Sequence, residues 1–106
     1  FENVMGAMRA KFGSDNLVTA AITADGSDGG KIDAADYAGA AQHVDWYNVM
    51  TYDYFGAFDA DGPTAPHSPL TSYEGIPTEG FNSDAAITKL TELGVPAEKQ
   101  LLGIGF

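Results

Sequence analysis

The stretch Trp46-Tyr47-Asn48-Val49-Met50-Thr51-Tyr52-Asp53-Tyr54 decides the fold. It is rich in aromatic and β-branched residues, and its even-numbered positions Val44, Trp46, Asn48, Met50 and Tyr52 share one face of a strand. The run is predicted to end where Asp53 meets a loop punctuated by Gly56, Gly62 and Pro63. A hydroxyl and a carboxylate, Tyr52 and Asp53, therefore stand side by side at the carboxyl end of a strand. That is where open and closed α/β sheets build their sites.

Outward from this run, helix and strand patterns alternate. Phe1, Val4, Met5, Met8 and Phe12 predict an apolar stripe on a helix stopped by Gly13. Leu17 to Thr23 reads as a strand, and Asp25-Gly26-Ser27-Asp28-Gly29-Gly30 as the loop after it. Asp33 is the expected N-cap of an Ala-rich helix from about Ala34 to Gln42, and Val44 to Tyr52 is the next strand. The long irregular segment from Asp53 to Gly80 holds Pro63, Pro66, Pro69 and Pro77. Segments of that length inside a domain are usually functional or pinned by their neighbours. Asn82 or Ser83 then caps a helix whose Ala86, Ile87, Leu90 and Leu93 face inward, with Gly94 and Pro96 ending it. Leu101 to Phe106 is the last strand.

Composition excludes several functions. Fifteen acids against five bases, Arg9, Lys11, Lys31, Lys89 and Lys99, give a net charge of -10 with no basic stripe, so a nucleic acid is not the expected partner. No apolar run approaches the roughly 20 residues needed to cross a bilayer, and nothing reads as a targeting signal. Cysteine is absent, which removes disulfides and thiolate metal sites.

Strands alternating with helices predict parallel pairing through crossovers, and a parallel sheet needs cover on both faces. Three strands are few for such a sheet, and the terminal apolar run would leave an open edge. The expectation is a piece of a larger α/β fold. A complete three-stranded α/β interaction domain is the alternative.

The segment Tyr47-Asn48-Val49-Met50-Thr51-Tyr52-Asp53-Tyr54-Phe55-Gly56, followed by a Pro-rich loop, a capped helix and Leu101-Leu102-Gly103-Ile104-Gly105-Phe106, resembles family 18 glycoside hydrolases, specifically bacterial chitinases. The resemblance implies a fragment of a (β/α)8 TIM barrel over residues 1–106. Leu17 to Thr23, Val44 to Tyr52 and Leu101 to Phe106 would be approximately strands five to seven, with their intervening helices. It implies an enzyme acting on chitin or N-acetylglucosamine oligomers, secreted to reach an extracellular polymer, with no metal or other cofactor. The family's Asp-x-x-Asp-x-Asp-x-Glu signature is nowhere in the sequence, so the acid/base glutamate is expected outside this chain and the fragment alone is expected to be inactive. A chitin-binding relative that has lost the acid remains the second reading.

The family is an exception among retaining glycosidases, because the substrate's own acetamido group attacks the anomeric carbon. By resemblance, Tyr52 matches the tyrosine that hydrogen-bonds the acetamido carbonyl, Asp53 the carboxylate at the cleavage point, and Met50 the residue beneath the sugars. Met50 reads equally well as plain core. Tyr54 and Phe55 are expected to offer a stacking surface for sugar rings, whereas Trp46, on the same face but deeper, is expected to pack inside. His43 and His67 are isolated and read as surface or loop residues. The Asp59-Ala60-Asp61-Gly62 run fails as a calcium loop, since Leu70 stands where a bidentate glutamate is required. Asp25 to Gly30 fails as a phosphate cradle, lacking its lysine and ordered glycines.

Overall fold

The computed structural model describes residues 1–106 throughout. Helix α1 spans Glu2–Phe12, strand β1 Thr19–Ile22, helix α2 Tyr37–Ala41, strand β2 Trp46–Val49, helix α3 Ser83–Leu93 and strand β3 Gln100–Leu102. A single 3-10 turn, Ala97–Lys99, leads into β3. The strands form one parallel sheet in the order β1-β2-β3, so α2 and α3 lie on crossovers. No helix is long and apolar enough to cross a membrane.

Register divides the sheet into two faces. Ile22, Val49 and Leu102 align across the strands, as do Ala20, Tyr47 and Gln100. Tyr47, Ile22 and Val49 are buried beneath the helices with Val18, Val44, Ala86 and Leu90. Each of the valine, leucine and isoleucine side chains contributes about 1.5–3 kcal/mol by leaving water. Tyr47 sits edge-on to Tyr37, ring centres 5.7 Å apart, and donates its hydroxyl to the Tyr37 carbonyl at 2.7 Å. The opposite face, carrying Ala21, Asn48 and Leu101, is open. The molecule is a slab of 46 × 25 × 21 Å rather than a ball.

At the amino ends of the strands, Arg9 ties α1 to the sheet. Its Nε donates to the His43 carbonyl at 2.8 Å and its Nη2 meets Asp45 Oδ2 at 2.7 Å. The same carboxylate accepts the Val18 amide at 2.7 Å. That backbone bond, with the guanidinium beside it, holds the Asp45 carboxyl below its usual range.

Helix α3 has the ends its sequence specifies. Asn82 Oδ1 accepts the Ala85 amide at 2.9 Å, and Gly94 closes the helix in the left-handed region at φ 107. Elsewhere the structure corrects the expectation. Helix α2 begins at Tyr37, capped by Asp36, whose side chain accepts the Gly39 amide at 2.8 Å. Asp33 does not cap it, because its carboxylate is engaged by the Gly29 amide at 2.8 Å and by Lys89 Nζ at 3.1 Å. Of the α1 stripe only Met5 is buried, while Val4 and Phe12 are exposed; Leu93 of α3 is exposed too. Strand β2 ends at Val49, beyond which Met50 N still donates to the Ile22 carbonyl at 3.0 Å while Thr51 N turns back to the Val49 carbonyl at 2.9 Å. Strand β3 is likewise confined to Gln100–Leu102, with Gly103 adding one bond to the Val49 carbonyl.

The long segment after β2 is irregular but fastened. Tyr54 N donates to the His67 carbonyl at 2.9 Å, Ser83 N to Pro69 and Asp84 N to Leu70, each at 2.9 Å. Gly26 N donates to the Gly80 carbonyl at 3.2 Å, which joins the segment's far end to the loop after β1.

Candidate functional site

A cavity of about 450 Å³ opens at the carboxyl ends of β1 and β2. Met50, Tyr52 and Asp53 line it from the β2 side, Thr23 and Asp25 from the β1 side, and Phe58 from the long loop. The three residues singled out most firmly from the sequence are thus brought to one place.

Thr51 explains how. It is fully buried, its hydroxyl donates to the Gly103 carbonyl at 2.6 Å, and its own carbonyl accepts Ser68 Oγ at 2.6 Å. With the odd position anchored between β3 and the loop, Met50 and Tyr52 project to the open side. Tyr52 is half-buried against β3. A Cβ placed on Gly103 would lie 2.8 Å from Tyr52 Cε1 and 2.5 Å from the Val49 carbonyl oxygen, so only glycine permits this approach.

Asp53 follows with φ 55, the sole non-glycine residue in the left-handed region. Aspartate tolerates that conformation better than most residues. The turn breaks strand alternation, so Asp53 opens to solvent beside Tyr52 while the next two residues turn inward. His67, read from sequence as a bystander, stands next to this carboxylate with Nδ1 3.7 Å from Asp53 Oδ1.

Tyr54 and Phe55 are buried rather than exposed, although Tyr54 contributes to the cavity wall and Phe55 does not. They are 7% and 4% exposed, and each ring lies 5.6 Å from Phe81. The Tyr54 hydroxyl donates toward the carbonyls of Ala24, at 2.9 Å, and Asn82, at 3.1 Å. Burial, and secondarily the charge of Asp25, pushes that hydroxyl far above the usual tyrosine value and keeps it a donor. The exposed aromatic ring in the cavity wall is Phe58, 66% exposed, which the sequence reading passed over. The only signal for it was an unexplained aromatic in a polar loop. Trp46 is half-buried, with Nε1 donating to Asn48 Oδ1 at 3.2 Å.

Asp25 organises the opposite wall. Its Oδ1 accepts both the Ser27 hydroxyl, at 2.5 Å, and the Ser27 amide, at 3.1 Å, and its Oδ2 accepts the Lys31 amide at 3.2 Å. Burial raises its pKa, but these bonds outweigh burial and hold the carboxyl below its usual value. No group of three or more His, Cys, Asp or Glu side chains is placed to hold a metal ion.

A parallel α/β unit that collects a hydroxyl, a carboxylate and an open aromatic in a cleft at its strand ends has the plan of a ligand-handling α/β domain. Within that class, the chain belongs to glycosyl hydrolases family 18, whose model matches residues 1–106. It is 66% identical over 106 residues to chitinase C of Streptomyces lividans and 64% identical to chitinase 63 of Streptomyces plicatus. All of this chain is covered, but only 17% of each relative, so the chain spans about a sixth of their length. Among solved structures, the Ostrinia furnacalis Group IV chitinase superposes with a TM-score of 0.80 at 31% identity, covering 98% of this chain and 28% of that one.

Proposed function

We propose that residues 1–106 are part of a chitinase catalytic barrel, with β1, β2 and β3 as strands five, six and seven of a (β/α)8 fold. The observation that carries this reading is the convergence of Met50, Tyr52 and Asp53 on one cavity at the strands' carboxyl ends. The bare sheet face supports it too, since a parallel sheet is covered on both sides in complete folds. The names of the Streptomyces relatives point to chitin, and a secreted location follows from the same substrate.

In this reading the parent hydrolyses β-1,4 links between N-acetylglucosamine units with retention. The acetamido oxygen attacks the anomeric carbon, and the enzyme orients that amide and stabilises the cation that forms. Tyr52 donates its hydroxyl to the acetamido carbonyl. Asp53 holds the reacting sugar through its carboxylate, and Met50 forms the floor. Phe58 replaces Tyr54 and Phe55 as the stacking ring, because it has a free face on the cavity. The proton comes from a glutamate outside these residues.

Tyr52→Phe in the full-length protein tests the assignment. It should lower kcat on N-acetylglucosamine oligomers at least tenfold with little change in KM, because the lost bond acts mainly on the cyclising state; about 1.4 kcal/mol corresponds to tenfold. An unchanged kcat removes Tyr52 from the site. Residues 1–106 alone should leave the same oligomers uncleaved, since a positioned acid supplies about 10²–10⁴-fold.

A further inference from the structure

We propose that His67 is a positioning residue that clamps Asp53 and sets the direction of its carboxylate. The proposal rests on the reading of Asp53 as the carboxylate that holds the reacting sugar.

Two peptide amides bracket the rotatable backbone bonds of Asp53, its own and that of Tyr54. One residue holds both. Asp53 N donates to His67 Nδ1 at 3.5 Å, and Tyr54 N donates to the His67 carbonyl at 2.9 Å. Between these two points lies φ 55 of Asp53. A non-glycine residue in that region persists only where its surroundings over-determine it. The side-chain and main-chain contacts of His67 supply that determination.

Two further features keep His67 in register. Ser68 Oγ donates to the Thr51 carbonyl at 2.6 Å, which fixes the loop against the end of β2 one residue from the clamp. On the other side, Gly105 leaves room for the imidazole: a Cβ there would stand 2.6 Å from His67 Cε1 and 3.0 Å from Tyr52 Cβ. The glycine therefore lets Tyr52 and His67 approach the segment after β3 together. To accept the Asp53 amide, the imidazole carries its proton on Nε2, leaving Nδ1 as the acceptor. The Asp53 carboxylate, 3.7 Å from the same nitrogen, lies alongside it.

The test compares His67→Asn, His67→Gln and His67→Ala in the full-length protein. Asparagine places an oxygen near the Nδ1 position and can still accept the Asp53 amide, whereas glutamine places its amide near Nε2 and alanine places nothing. His67→Ala and His67→Gln should lower kcat on N-acetylglucosamine oligomers about tenfold, the kinetic equivalent of one hydrogen bond, with KM changed less than about twofold. His67→Asn should retain most of the rate at a melting temperature like that of His67→Gln. Crystal structures supply the second readout, with φ of residue 53 relaxing toward the extended region in His67→Gln and staying positive in His67→Asn. Equal rates for asparagine and glutamine, or an unmoved φ in His67→Gln, overturn the clamp. Asp53→Asn separates the two readings. If it leaves kcat unchanged, the assigned role of Asp53 fails, and the clamp is then judged by φ alone.

Discussion

Gly103→Ala is the most direct probe of how Tyr52 is held. Gly103 does not have a positive φ, so alanine brings no backbone penalty and the effect is steric. The new Cβ would lie 2.5 Å from the Val49 carbonyl oxygen and 2.8 Å from Tyr52 Cε1. Ordinary contact begins at 3.4 Å, so residue 103 must retreat by roughly 0.9 Å from the Val49 carbonyl, and the ring must give by roughly 0.6 Å unless that retreat also clears it. Retreat strains the Gly103 N to Val49 O bond, now 2.9 Å, and overpacking of this kind costs about 1–3 kcal/mol. Under the proposed role of Tyr52, movement of the ring carries its hydroxyl off the acetamido carbonyl, and a misplacement approaching 1 Å costs about tenfold to a hundredfold in rate. Calorimetry and steady-state kinetics of the full-length variant on N-acetylglucosamine oligomers measure both effects. A variant with wild-type melting temperature and wild-type kcat would show that the missing side chain at 103 is not what seats Tyr52.

Two other outcomes follow from the hydrogen bonds. Tyr54→Phe removes the donor shared by the Ala24 and Asn82 carbonyls and should destabilise the fold by about 1–3 kcal/mol in urea unfolding; equal stability would mean those buried carbonyls find other partners. Asp45 is favoured in its ionised form by the Val18 amide and Arg9, so its stabilisation is complete above the usual value of 3.8 and is lost as pH falls below it. The melting temperature should therefore drop on acidification below about pH 4, and Asp45→Asn should flatten that limb. An acid limb of the same steepness in Asp45→Asn would place the linkage elsewhere.

Elements with a chemical start and stop were readable from sequence. Helix α3 has a cap at Asn82, a left-handed stop at Gly94 and Pro96 behind it, and it forms between those bounds. Parallel pairing followed from the alternation of helix and strand. Helix α2 was misplaced because the contacts that occupy Asp33 come from Gly29 and the distant Lys89, which no local pattern signals. Periodicity places Val4, Phe12 and Leu93 on apolar stripes but cannot say what covers them. Met50, Tyr52 and Asp53 were legible as a unit since they follow one strand. Tyr54 and Phe55 were read as a sugar platform because they lie just beyond the strand, but the chain turns at Asp53 and both rings are buried, with Tyr54 still reaching the cavity wall. His67 and Phe58 come from the irregular loop, where no period exists to signal a direction.

The fastening of the long loop divides it into two closed parts. The Tyr54 N to His67 O bond shuts one circuit, and the Ser83 N to Pro69 O bond shuts the next. Residues between Gly56 and Pro66 can therefore lengthen or shorten without disturbing Tyr52 and Asp53, which lie behind the first closure. Closure entropy rises slowly with length, about 0.6 kcal/mol per doubling, so insertions there are nearly neutral to folding. Phe58 belongs to this variable circuit. Under the proposed function, depth of the groove and breadth of accepted polymer can thus diverge among descendants by changes of loop length, while Tyr52 and Asp53 are inherited in place.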